Sequence, residues 1–89
     1  MHVIRLRSNW ESTPEGWRRR FHKPTGLEGG DRVSVAVDGP ATVVLNGQPL
    51  PLVDGRGDVT ELLTPANELL VQPDQASQLE SVRLEIEPV

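Results

Sequence analysis

Eight prolines and eight glycines cut this 89-residue chain into short runs, and that punctuation rules out most helical folds. Proline inside a helix lacks the backbone donor and clashes with the preceding turn. Between apolar runs, Pro and Gly are turn signals instead. The runs themselves alternate with the period of two that a half-buried strand requires. In "VIRLRS", Ile4 and Leu6 alternate with Arg5 and Arg7. "WRRRFHK" sets Trp17, Arg19 and Phe21 on one side and Arg18, Arg20 and His22 on the other. In "RVSVAV", Val33, Val35 and Val37 face one way, and Asp38-Gly39-Pro40 closes the run. "ATVVL" and "ELLVQ" follow, and "SVRLEIE" points Val82, Leu84 and Ile86 inward and Arg83, Glu85 and Glu87 outward.

Turn chemistry joins these runs. Asn46-Gly47 lies between Ala41–Leu45 and Gln48–Leu52. Asn-Gly is the favoured pair for a two-residue type I′ turn, in which both residues need positive φ. A hairpin is expected there. Pro49 and Pro51 cannot donate to a ladder, so the returning arm belongs at a sheet edge, where prolines also discourage edge-to-edge aggregation. The one helical candidate is "DVTELLTPANEL": Thr60 can cap a short turn through Leu63, and Pro65 stops it. The expected fold is all-β, a small antiparallel sandwich of about six to seven short strands.

A chain of this length makes one domain, residues 1–89, and buries roughly 60–65% of its unfolded surface, so its core is thin. It has no cysteine to staple it. Arg5 and Arg7 break the apolar stretch a signal peptide would need, which with the absence of cysteine makes a cytoplasmic location the default expectation. No apolar run approaches the roughly 20 residues that span a bilayer, so no membrane partner is expected. Charge is uneven: residues 1–32 hold seven of the nine Lys/Arg and four of the thirteen Asp/Glu. Pairing of the first strand with the last, setting Arg5 and Arg7 beside Glu85 and Glu87, accounts for this asymmetry within one fold. Nucleic acid is not an expected partner, because the net charge is −4 and alternation splits Arg18–Arg20 between two faces.

Three segments in order carry a resemblance: "WRRRFHKP", "DRVSVAVDGPATVVLNGQPL" and "DVTELLTPANELLV". Together they resemble the sugar-binding, jelly-roll domain of the family-2 glycoside hydrolases, within the wider galactose-binding-like sandwiches. The match runs from about Gly16 to Val71, with a final strand at the C-terminus. It implies a jelly-roll sandwich and a non-catalytic role, since in that family the acid/base and nucleophile carboxylates lie in a separate barrel domain. The chain departs from the family in being shorter, in having Trp17 where Tyr is usual, and in having Val43 and Val44 where Trp is common.

Sugar sites combine flat aromatic faces with a few polar anchors. Of the three aromatics, Phe21 and Trp17 share a strand face and read as core. Trp10, following Ser8-Asn9, is the candidate platform. Asn9, Trp10, Arg18 and Arg20 are therefore the candidate ligand residues. Arg19, on the inward face, is expected to meet a carboxylate or stack on Trp17. Asp58 and Thr60 read as backbone-capping groups. Asp54 and Asp58, separated by Gly-Arg-Gly, are too few for a calcium ion, which takes six to eight oxygens. No catalytic residue, metal site or cofactor is expected: there is no Cys, and His2 and His22 lack a recognisable partner spacing. Two functions fit: a non-catalytic carbohydrate-binding module of weak affinity, or a protein-interaction or structural module that keeps the scaffold without the sugar site.

Overall fold

A computed structural model describes residues 1–88. They form nine strands and one 3₁₀ turn: β1 (His2–Arg5), β2 (Glu11–Thr13), β3 (Gly16–His22), β4 (Arg32–Ala36), β5 (Ala41–Leu45), β6 (Gln48–Leu50), β7 (Arg56–Asp58), β8 (Ala66–Pro73), the 3₁₀ turn Ala76–Ser81, and β9 (Arg83–Glu87). Two antiparallel sheets stack as a sandwich. One is ordered β1-β9-β4-β7, the other β2-β3-β8-β5-β6. The expected six to seven strands are thus exceeded. The extra ones, β2 and β7, are three-residue polar segments that become strands only by pairing with β3 and β4.

Alternation places the core as expected. Val33, Val35, Leu84 and Ile86 from one sheet meet Phe21, Val43, Leu45, Leu69 and Val71 from the other. Full burial of one such side chain contributes about 1.5–3 kcal/mol. The chain crosses between sheets at both lateral edges, from β1 to β2 on one side and from β6 to β7 on the other. Trp10 packs against the core beside the first crossing.

The Asn46-Gly47 turn forms with both residues at positive φ, 50° and 81°. It joins β5 to β6 in the register Leu45↔Gln48, and β6 with its Pro49 is an outer strand of the sheet. The first and last strands do pair, antiparallel, but their register changes the charge partners. Arg5 lies opposite Arg83, and Val3 opposite Glu85. Among the described residues neither Arg5 nor Arg7 forms an ion pair. The basic N-terminal third is balanced elsewhere, through Arg20 with Glu68 and Arg32 with Asp58. The segment after β7 makes one turn, its Leu62 and Leu63 amides donating to the Val59 carbonyl. The 3₁₀ turn lies further on, at Ala76–Ser81, where Leu79 is its only buried side chain.

Candidate functional site

Arg18 and Arg20 project from the outer face of the five-stranded sheet, two residues apart on β3. Register sets Arg18 opposite Glu11 of β2 and Arg20 opposite Glu68 of β8. Arg18 Nη2 is 3.3 Å from Glu11 Oε2, while its buried Nε has no hydrogen-bond partner. Arg20 Nε stands 3.8 Å from Glu68 Oε2, beyond hydrogen-bond length.

Asn9 and Trp10 belong to the crossing from β1 to β2. Asn9 has φ 66°, in the left-handed region that Asn tolerates, and lets the chain reverse there. Trp10 is half-buried, and its indole N–H donates to the Leu6 carbonyl at 2.7 Å. Arg19 meets no carboxylate among the described residues and bonds backbone carbonyls instead. Its Nε donates to the Ser8 carbonyl and its Nη1 to the Arg20 carbonyl, both at 2.7 Å. It thereby pins the Asn9 loop to β3. Of the four residues singled out, Arg18 and Arg20 share a sheet face, whereas Asn9 and Trp10 line none of the clefts described below.

Arg20 does line a cleft, of about 400 Å³, at the hairpin end of this sheet, together with Phe21, His22, Asn46, Ala66, Asn67 and Glu68. Its floor is a closed hydrogen-bond network. The Asn46 amide donates to the Glu68 carbonyl at 2.9 Å, and Asn46 Oδ1 accepts from the Glu68 amide at 2.8 Å. Asn46 Nδ2 donates to Oδ1 of the buried Asn67 at 3.0 Å. Asn67 also accepts from the Thr64 amide and donates to the Thr64 carbonyl. One side chain ties the Asn46 turn and the Thr64 segment to β8.

A second cluster occupies the outer face of the four-stranded sheet. Alternation points Glu85 outward, yet it is only 3% exposed. Arg56 Nε, and Arg83 Nε at 3.0 Å, close over its carboxylate. Hydrogen bonds from Arg56, then from Arg83, hold the Glu85 carboxyl below its ordinary pKa against the opposing effect of burial. Arg83 also reaches Asp38 at 3.2 Å and the Ser81 carbonyl at 2.8 Å. At Asp58 burial pulls the pKa up but is outweighed by hydrogen bonds from Thr60 and Arg32, so the net direction is down. Asp58 Oδ1 accepts from the Thr60 amide at 2.9 Å, and Thr60 Oγ1 in turn accepts from the Val33 amide at 2.8 Å. Asp58 thus caps the turn as expected, whereas Thr60 does not cap the turn through Leu63 but satisfies the Val33 amide of β4, because the Leu62 and Leu63 amides already donate to Val59. Arg56-Gly57-Asp58 is a sheet segment whose two charges already have partners on the protein.

A cleft of about 550 Å³ at the opposite end of the sandwich is bordered by the Val37–Ala41 turn, Leu52 and the Asp54-Gly55 turn. Its ionisable groups are Asp38, held by Arg83, and Asp54. Among the described residues no three His, Asp or Glu side chains gather as metal ligands. No helix there is long and apolar enough to cross a membrane.

Sequence reasoning missed Glu68, Asn67 and the cleft role of Asn46. Glu68 is marked only by lying across from Arg20, which requires the register. No protein-family model matches the sequence, and no curated protein matches it. Among solved structures, the chain is similar to the crystal structure of an FMN-binding beta-glucuronidase from Facaelibacterium prausnitzii L2-6, with a TM-score of 0.68 and 22% identity. The likeness covers 98% of this chain and 22% of that one, so this chain spans about a fifth of that protein's length. At this identity the two share a fold.

Proposed function

We propose that the chain is a non-catalytic, jelly-roll, galactose-binding-like module of the kind that accompanies glycoside hydrolase catalytic domains, and that it holds saccharide weakly. The observation that carries this reading is coverage: end to end, the chain matches one part of a beta-glucuronidase and leaves the other four-fifths unmatched. The chemistry supports a non-catalytic role. Glycoside hydrolysis needs two carboxyl groups at a set separation across the scissile bond. In the cleft of about 550 Å³ one of the two carboxylates, Asp38, is paired with Arg83. Phe21 is buried and Trp10 packs on the core, which leaves little aromatic face for a sugar. Millimolar affinity follows.

The second reading, a structural or protein-interaction module without a sugar site, is favoured by the commitment of the Trp10 indole to the Leu6 carbonyl. It gains nothing from surface chemistry. The large exposed hydrophobics among the described residues are Met1, Val53 and Leu62, on three separate segments. An interface of a few hundred Å² needs a contiguous patch. Titration of the folded, isotope-labelled domain with mono- and oligosaccharides separates the two readings. Saturable amide shifts with one sugar class support the first. A spectrum unmoved across the panel at high millimolar sugar overturns it in favour of the second.

A further inference from the structure

We propose that the cleft at the hairpin end of the five-stranded sheet is a saccharide site, in which Arg20 and Glu68 grip adjacent hydroxyls of a neutral sugar; this rests on the accessory-module reading above. The two side chains face each other across β3 and β8 and are 69% and 47% exposed. Their 3.8 Å separation is too long for a direct hydrogen bond, so the guanidinium keeps its donors and the carboxylate its acceptors. A hydroxyl both donates and accepts. Two neighbouring hydroxyls therefore satisfy an arginine and a glutamate at once, which a purely anionic or purely cationic ligand cannot do. The opposite charges of the pair cancel, and Glu68 disfavours a carboxylate-bearing ligand. The volume, about 400 Å³, lies in the roughly 300–1,000 Å³ range of small-molecule sites. Ala66 and the edge of the otherwise buried Phe21 provide a small apolar surface, and His22 adds a third polar group to the lining. The Asn46 carboxamide is already committed to the Glu68 amide and to Asn67, so the floor is fixed before a ligand arrives. The larger cleft at the other end offers carboxylates with no cationic donor on its walls.

The test is an amide titration of the 89-residue chain with neutral methyl glycosides and oligosaccharides, beside glucuronate, in wild type, Arg20→Ala and Glu68→Ala. Arg20→Gln serves if Arg20→Ala does not fold. The expected result is saturable shifts at His22, Asn46 and Glu68 with a neutral sugar, and affinity reduced about tenfold or more in each variant, as loss of a hydrogen bond to a charged group implies. Variants that bind as wild type does, or glucuronate binding more tightly than the neutral sugars, overturn the proposal. Saturable shifts around Trp10 with a silent hairpin end also overturn it, while leaving the accessory-module reading intact. A spectrum unmoved by every sugar removes both.

Discussion

Glu85→Gln is the substitution that weighs most on this fold. The side chain is 3% exposed, yet it lies on the solvent face of its sheet, and its carboxylate is held by Arg56 and Arg83. Removing one partner of a buried ion pair costs about 3–5 kcal/mol when the remaining charge is stranded. Here the stranding is partial. Arg56 is 52% exposed and turns to water, and Arg83 keeps Asp38 and the Ser81 carbonyl. The expected loss at pH 7 is therefore smaller, about 2–3 kcal/mol. A chain of this size has a total stability of roughly 4–13 kcal/mol, so the variant is severely weakened.

The pH dependence gives a second, independent reading. The folded pKa of Glu85 lies below its ordinary value of 4.5. A depressed carboxyl stabilises the fold fully above the unfolded pKa, and that contribution is lost as pH falls through the folded one. Acidification from pH 7 to pH 3 therefore erodes wild type more than Glu85→Gln, and the gap between them narrows. Asp58, also depressed, erodes both alike. Urea unfolding at the two pH values, followed by far-UV circular dichroism, measures this directly. Equal midpoints at pH 7, or a gap that widens on acidification, refute the reasoning.

Four further substitutions test the local accounts. Asn67→Ala removes the side chain that ties the Asn46 turn and the Thr64 segment to β8 and is expected to cost about 2–3 kcal/mol in chemical denaturation, with faster hydrogen exchange at the Asn46 and Thr64 amides. Gly47→Ala meets no atom within 4 Å and suffers only its positive φ, about 1–2 kcal/mol, whereas at Gly16 the new Cβ would lie 2.7 Å from the Val71 carbonyl oxygen. Gly16→Ala must therefore melt at the lower temperature. Trp10→Phe keeps the packing but leaves the Leu6 carbonyl without its indole donor, a loss of about 1 kcal/mol in the same urea assay; an unchanged midpoint would show that the bond contributes nothing.

What the sequence makes legible is local. Alternation identifies β1, β3, β4, β5 and β9, and Asn46-Gly47 identifies its hairpin, because each signal lies within a few consecutive residues. Alternation fixes only the parity of a strand, not which residue lies opposite which. Alternation therefore puts Arg5 on the face of Glu85, as the structure has it, but the register sets Arg5 against Arg83, two places away. The same limit hides the burial of Glu85: parity points it outward, and the arginines that hold its carboxylate, Arg56 on β7 and Arg83 on its own strand, meet it only in space. β2 and β7 hold no alternating apolar pair, so their strand character comes wholly from their neighbours. The resemblance to glycosidase sandwiches obeys the same logic. The Asp of "DVT" caps a turn and its Thr satisfies the Val33 amide, "LNG" makes the hairpin, and the Asn of "NELLV" is the buried tie. These motif residues build the scaffold, and a scaffold supports many functions. The side chains with unused hydrogen-bonding capacity, Arg20 and Glu68, lie one on the first motif and one within the last. They become a pair only through the register of β3 on β8, 48 residues apart in sequence, and for that reason no local pattern marks the candidate site.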